Sequence, residues 1–269
     1  MLDSHTHLNS WTLFPNWKKY ISDFEALGWN RLINAWSDRE YNENWIKISQ
    51  NYKWKSYIKC TLWLHPLEVV EWIVTPDNID KELVRLENMY LEYKEHIVAI
   101  GEIWIDIHYE WEQNLDLQKQ LFDRQMKLAR KYNLPVVIHS RDDFNTTYEI
   151  LENYKDLKIY IHCRWYWPNE IAKVQNNIPN LWIGFCWNTT YPSAQNLRDS
   201  LNLVEIDKLL IETDAPYLPV KEFRGQLNTP AMITHLYDFI SDFLWIERNE
   251  LEKIIEKNFD RLYIITQIS

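Results

Sequence analysis

The feature that most constrains the fold of this 269-residue chain is an alternation of eight apolar runs of strand length with stretches of helical period. The runs are Met1–Ser4, Arg31–Ala35, Tyr57–Leu64, Ile97–Ile103, Pro135–His139, Lys158–His162, Leu181–Phe185 and Leu209–Glu212. The helical stretches are Asn16–Leu27, Ile79–Tyr93, Leu115–Tyr132, Phe144–Tyr154, Asn169–Asn176 and Ala194–Leu203, with Pro230–Leu244 and Glu250–Leu262 closing the chain. Strands that alternate with helices form a parallel sheet with crossover connections. Eight such units fit the ~250 residues typical of a (β/α)8 barrel. With no linker, repeat or low-complexity tract in view, the expectation is an α/β fold, a TIM-type barrel, in one domain spanning residues 1–269.

In such a barrel the strand-to-helix loops gather on one face, so chemistry belongs at the C-terminal ends of the strands. The polar residues that interrupt the apolar runs fall there: His5 and His7 after the first strand, Glu102 at the end of the fourth, His139 and His162 ending the fifth and sixth, and Asp214 after the eighth. Residues i and i+2 of a strand point to the same side, so His5 and His7 can offer two imidazoles to one ion. Imidazole is the commonest protein metal ligand. Each residue also has an ordinary structural reading: a capping or ion-paired carboxylate for Glu102, hydrogen-bonded core histidines for His139 and His162, an N-cap for Asp214. Six of them at one rim favour a metal centre.

The net charge of −10 and the lack of a long Lys/Arg run speak against a broad basic surface for nucleic acid, so an anionic substrate must be attracted locally. Three cysteines, Cys60, Cys163 and Cys186, form no CxxC pair and suggest no disulfide framework. No secretory-type leader or membrane-length apolar run is seen, and the expectation is a soluble, cytoplasmic protein.

These residues resemble the TatD-like deoxyribonuclease family of the metal-dependent amidohydrolase superfamily. The resemblance runs from Leu2-Asp3-Ser4-His5-Thr6-His7 through Leu64-His65-Pro66, Ile100-Gly101-Glu102-Ile103 with Asp106, Pro135-Val136-Val137-Ile138-His139-Ser140-Arg141 and His162-Cys163. It continues in Glu212-Thr213-Asp214-Ala215-Pro216-Tyr217-Leu218, Arg224-Gly225 with Asn228 and Pro230, and ends at Asn258 with Arg261-Leu262. The resemblance implies two divalent ions at the barrel mouth: His5, His7 and Asp214 holding one, His139 and His162 the other, and Glu102 bridging both. A carboxylate can bridge ions ~3.5–4 Å apart, the spacing used in phosphoryl hydrolysis. The mixed donor set is read as accepting Zn, Mn, Co, Fe or Mg.

The implied activity is metal-assisted phosphodiester hydrolysis, with DNA as substrate and an exonuclease mode of action. The ions acidify a water and neutralise the scissile phosphate, while Asp214 and Glu102 are the catalytic carboxylates and Asp214 orients or deprotonates the nucleophile. His65, Arg141 and Arg224 are candidates for phosphate contact, a guanidinium offering a bidentate fork; salt bridges to the rim are their ordinary reading. His96, His108 and His235 are read as surface or helix residues. Two alternatives stand beside this reading: an ester hydrolase, such as a D-aminoacyl-tRNA deacylase on the same fold, and a metal-binding scaffold without turnover.

One aspect of composition departs from the family. The chain has 15 Trp and 4 Gly, where average usage predicts roughly 19 glycines. Trp36, Trp63, Trp104, Trp187 and Trp245 stand where the family pattern has glycine. Three explanations compete: aromatics that stack on unpaired bases, ordinary core tryptophans, or a source that reads UGA as glycine where this translation reads tryptophan. The third accounts for Trp and Gly together matching the expected glycine count. It also avoids five overpacked sites at ~1–3 kcal/mol each, and it predicts that the chain as written crowds its own metal site. A second departure is Cys163-Arg164-Trp165-Tyr166-Trp167, where the family has Cys-Phe-Ser-Gly.

Overall fold

The structure is a computed structural model that describes residues 2–35, 42–51, 57–64, 73–106, 114–141, 143–163 and 167–263, the side chains of residues 42, 43, 51, 106 and 141 excepted. Eight parallel strands pair in sequence order: β1 (Leu2–Thr6), β2 (Arg31–Asn34), β3 (Tyr57–Leu62), β4 (Ile97–Asp106), β5 (Val136–Arg141), β6 (Ile159–Ile161), β7 (Leu181–Phe185) and β8 (Leu209–Ile211). Among the described residues, helices α1 (Trp17–Ala26), α2 (Asn42–Asn51), α3 (Ile79–Tyr93), α4 (Leu115–Tyr132), α5 (Phe144–Leu151), α6 (Pro168–Asn177) and α7 (Gln195–Leu201) connect successive strands. After β8 come α8 (Ile233–Leu244) and α9 (Arg248–Tyr263). This is the expected (β/α)8 barrel. Strands covered by helices outside and side chains inside are buried on both faces, which is why β1 and β7 are buried at every residue.

The seam of the barrel is closed by polar groups. Backbone hydrogen bonds run from His7 N to Ala215 O (2.7 Å) and from Asp214 N to His5 O (3.0 Å), tying the end of β1 to the segment after β8. Asp3, fully buried in β1, accepts from Thr213 N at 2.9 Å and from the Thr213 hydroxyl at 2.6 Å. Burial pushes the Asp3 carboxyl well above its ordinary range, against the pull of the Thr213 hydrogen bonds. At the other end of the barrel, Asn258 of α9 donates to Ile206 O and Leu209 O, both at 2.8 Å, and so anchors the start of β8.

Helix ends follow local chemistry. The Asn114 side chain caps α4 by accepting from Leu117 N, and Asn133 ends it in the left-handed region at φ 52°. The Asp143 side chain caps α5 by accepting from Thr146 N. Between β2 and β3 no helix is expected from the sequence, yet α2 is there with Trp45, Ile48 and Ser49 buried. Its asparagines, weak helix formers, obscure the i, i+3 pair Trp45 and Ile48. β4 runs three residues past the expected Ile103, so Glu102 lies inside a strand and not at its end. His5 and His139 are likewise within β1 and β5, while His7, His162 and Asp214 lie just beyond their strands. No helix among the described residues is long and apolar enough to cross a membrane.

Candidate metal centre

Glu102 is aimed by an irregularity in β4. The pairing of β4 with β5 shifts register between Ile100 and Ile103, the kind of bulge that re-aims a side chain. Gly101 permits it: its φ is 154°, and a Cβ there would come within 2.6 Å of both Cβ and O of Val137. Glu102 therefore turns into the barrel mouth, where it is 1% exposed.

The carboxylate of Glu102 divides between two groups of residues. Oε1 lies 3.1 Å from His5 Nε2 and 3.4 Å from His7 Nε2. Asp214 Oδ1 is 3.4 Å from the same His7 nitrogen and 3.9 Å from that of His5. Oε2 lies 2.8 Å from His162 Nε2 and 3.9 Å from His139 Nδ1, and these two ring nitrogens are 3.1 Å apart. The His5 and His162 rings stack at 4.1 Å, so the two groups abut. The structure thus brings together all six residues proposed from the sequence, and His5, His7, Glu102 and Glu102, His139, His162 each form a cluster with metal-ligand spacing.

The electrostatics suit a cation. Burial alone would raise Glu102, but the imidazoles of His162 and His5 outweigh it and hold the carboxyl well below its ordinary range. Asp214 is treated alike: burial is overcome by His7, His162 and His5, and its carboxyl is lowered. Burial and the neighbouring His162 push His139 down to about 3, leaving it a neutral donor. Asp214 Oδ1 is buried and has no hydrogen-bond partner among the described residues, and imidazole nitrogens 3.3 Å apart, as in His5 and His7, share at most one proton. A divalent cation is the partner these groups lack, so the residues fit the metal that the fold implies.

Residues not named as site residues in the sequence surround the six. Glu212 Oε1 is 3.6 Å from His162 Nδ1, a buried carboxylate facing the side of the ring turned away from Glu102. Glu212 in turn accepts from the Tyr160 hydroxyl and from Cys163 N. The signal available in the sequence was a carboxylate closing an apolar strand, which cannot be buried without partners. Trp104 Nε1 donates to Glu102 Oε2 at 3.0 Å, and the ring stacks on His139 with centroids 4.1 Å apart. It also packs at 5.4 Å on Trp63, itself 1% exposed.

The remaining candidates are placed unequally. Arg224 is exposed after β8, its guanidinium 5.8 Å from the Tyr191 ring. His65, His108, Trp36, Arg164, Trp165 and the side chain of Arg141 lie outside the described residues. His96 contacts Ser49 Oγ at 2.7 Å through Nδ1, and His235 packs at 4.4 Å on Phe223.

Histidines and carboxylates gathered into metal-sized clusters at the mouth of a parallel barrel put this chain among the metal-dependent hydrolases. Its sequence matches the family described as TatD related DNase over residues 2–264, and the chain belongs to that family. It is 29% identical over 268 residues to an uncharacterized metal-dependent hydrolase of Mycoplasma genitalium, covering 97% of this chain and 98% of that one. It is 27% identical over 267 residues to the uncharacterized metal-dependent hydrolase YabD of Bacillus subtilis, covering 98% and 99%. Among solved structures, YjjV, a TatD homolog from Escherichia coli, superposes with a TM-score of 0.87 at 23% identity, covering 98% of this chain and 97% of that one.

Proposed function

We propose that the protein hydrolyses phosphodiester bonds, as a deoxyribonuclease of exonuclease type that uses two divalent cations. His5, His7 and Asp214 would hold one ion, His139 and His162 the other, and Glu102 both. When bound, the pair supplies an acidified water and neutralises charge on the scissile phosphate. The observation that carries the reading is the division of Glu102, one oxygen toward each group of histidines. Two ions, one on each side, would use both oxygens.

The chain's own groups supply the rest. Asp214, kept ionised by the neighbouring imidazoles, orients or deprotonates the attacking water. Glu212 places a negative charge 3.6 Å from His162 Nδ1, behind the ring whose Nε2 is aimed at Glu102. Arg224, with Arg141 and His65, would contact substrate phosphates at the rim, the local attraction that a chain of net charge −10 requires.

The test is one preparation stripped with a chelator, reloaded with Mn2+, Co2+ or Zn2+, and assayed on end-labelled single-stranded and duplex DNA beside an aminoacyl-ester substrate. Metal-dependent cleavage of DNA is expected, with kcat reduced about 10²–10⁴-fold in Asp214→Asn. Ester hydrolysis without DNA cleavage would move the chain to a deacylase role. Metal binding without turnover of either substrate would leave a scaffold.

A further inference from the structure

The mouth of the barrel holds a further donor cluster, two of whose three members hydrolysis does not use. Cys163 lies just after β6, Cys186 just after β7 and Asp214 just after β8, so three neighbouring strands end in two thiols and a carboxylate. Their ligand atoms all lie within 4.8 Å of one another, and all three residues are buried. Neither thiol forms a disulfide. Asn188 adds an amide N–H, with Nδ2 3.9 Å from Cys163 Sγ, a donor placed to stabilise sulfur that carries negative charge. Cys60 has a different neighbourhood: its Sγ is 3.7 Å from Trp45 O of α2.

Two sulfurs and one carboxylate oxygen are a donor set with a definite preference. Thiolate selects borderline and soft ions, whereas Mg2+, Ca2+ and Mn2+ favour oxygen. Metal–sulfur bonds of ~2.3 Å in a tetrahedron put donor atoms about 3.8 Å apart, a spacing the cluster reaches by small inward shifts. We propose that Cys163, Cys186 and Asp214 form a binding site for one thiophilic cation of the Zn2+ or Cd2+ class. It shares Asp214 with the cluster of His5, His162 and Asp214. On binding, two S–H bonds break, two metal–sulfur bonds form and two protons pass to solvent, with no change of oxidation state. Because Asp214 also faces His5 and His7, an ion held by the thiols draws that carboxylate away from them. Excess Zn2+ or Cd2+ then inhibits hydrolysis where excess Mn2+ does not, a consequence that rests on the hydrolase reading, while the binding itself does not.

The experiment uses the full chain loaded with Mn2+, freed of excess ion and titrated with Cd2+. Ultraviolet thiolate-to-cadmium charge-transfer absorption is expected to rise and saturate at one ion per chain. Cys186→Ser is expected to lose the band and bind Cd2+ at least tenfold more weakly, and Cys60→Ser to keep both. X-ray absorption at the cadmium edge of the unaltered protein, with one equivalent bound, is expected to find sulfur in the first shell, a readout that does not depend on how a variant folds. A folded protein with no thiolate band, a cadmium shell of nitrogen and oxygen only, or an unchanged band in Cys186→Ser would overturn the proposal. None of these readouts requires turnover, so a chain that fails the nuclease assay can still pass this one.

Discussion

At the residue scale the tryptophans carry the sharpest consequences. Trp245 ends α8 at φ 56°, ψ 40°, in the left-handed region, and is 95% exposed. Asn133 closes α4 in the same conformation with a residue suited to it, whereas a bulky side chain there pays the steric penalty that glycine escapes. Trp245→Gly is therefore expected to stabilise the fold by about 1 kcal/mol, read from the urea midpoint. Trp104 matters for the site: its indole N–H takes a lone pair of Glu102 Oε2, the oxygen that faces His162 and His139. Glycine at 104 would leave that oxygen to an ion. The buried indole N–H groups of Trp29, Trp45 and Trp182 also find no acceptor among the described residues. A peptide mass spectrum of the protein from its native source is expected to read glycine at 104 and 245; tryptophan at both would mean a site rebuilt around bulky aromatics.

At the element scale, order at the rim depends on how helices begin. α5 follows β5, the strand of His139, and the Asp143 side chain accepts from Thr146 N at 3.0 Å while its carbonyl accepts from the Thr147 hydroxyl at the same distance. Asp143→Ala removes the side-chain cap and leaves the carbonyl contact. It is expected to cost about 1 kcal/mol in thermal unfolding, with faster amide exchange confined to the first turn of α5. α2 shows the limit of pattern reading, since its buried Trp45 and Ile48 fill a gap beside β3 that the periodicity of a ten-residue, asparagine-rich segment does not announce.

At the scale of the whole molecule, stability and site share one seam. Asp3 joins β1 to Thr213, and Thr213 adjoins Asp214. Asp3→Ala strands the buried N–H groups of His5 and Thr213 and the buried Thr213 hydroxyl, each worth about 1–3 kcal/mol. Asp3→Asn keeps one acceptor and is expected to cost clearly less in urea unfolding. Equal losses in the two variants would show that the seam is held by its backbone hydrogen bonds alone. The same seam sets the separation of Asp214 from His5 and His7, so Asp3→Ala is also expected to weaken metal binding, measured by calorimetry.

The amino-acid sequence by itself determined the number, order and direction of the strands, because apolar runs and helical periods report which segments can be buried in a parallel sheet. It also marked the six polar residues, since a histidine or carboxylate at an apolar strand's end is conspicuous wherever the chain goes. Only the tertiary structure decided how those residues meet. The two-way split of Glu102 depends on the β4 bulge and on how close β5 comes to Gly101. The approach of Glu212 to His162, the seam at Asp3 and the approach of Cys163 to Cys186 are contacts between separate strands. Local pattern encodes burial and propensity; distances across the mouth exist only once eight strands have closed on one another.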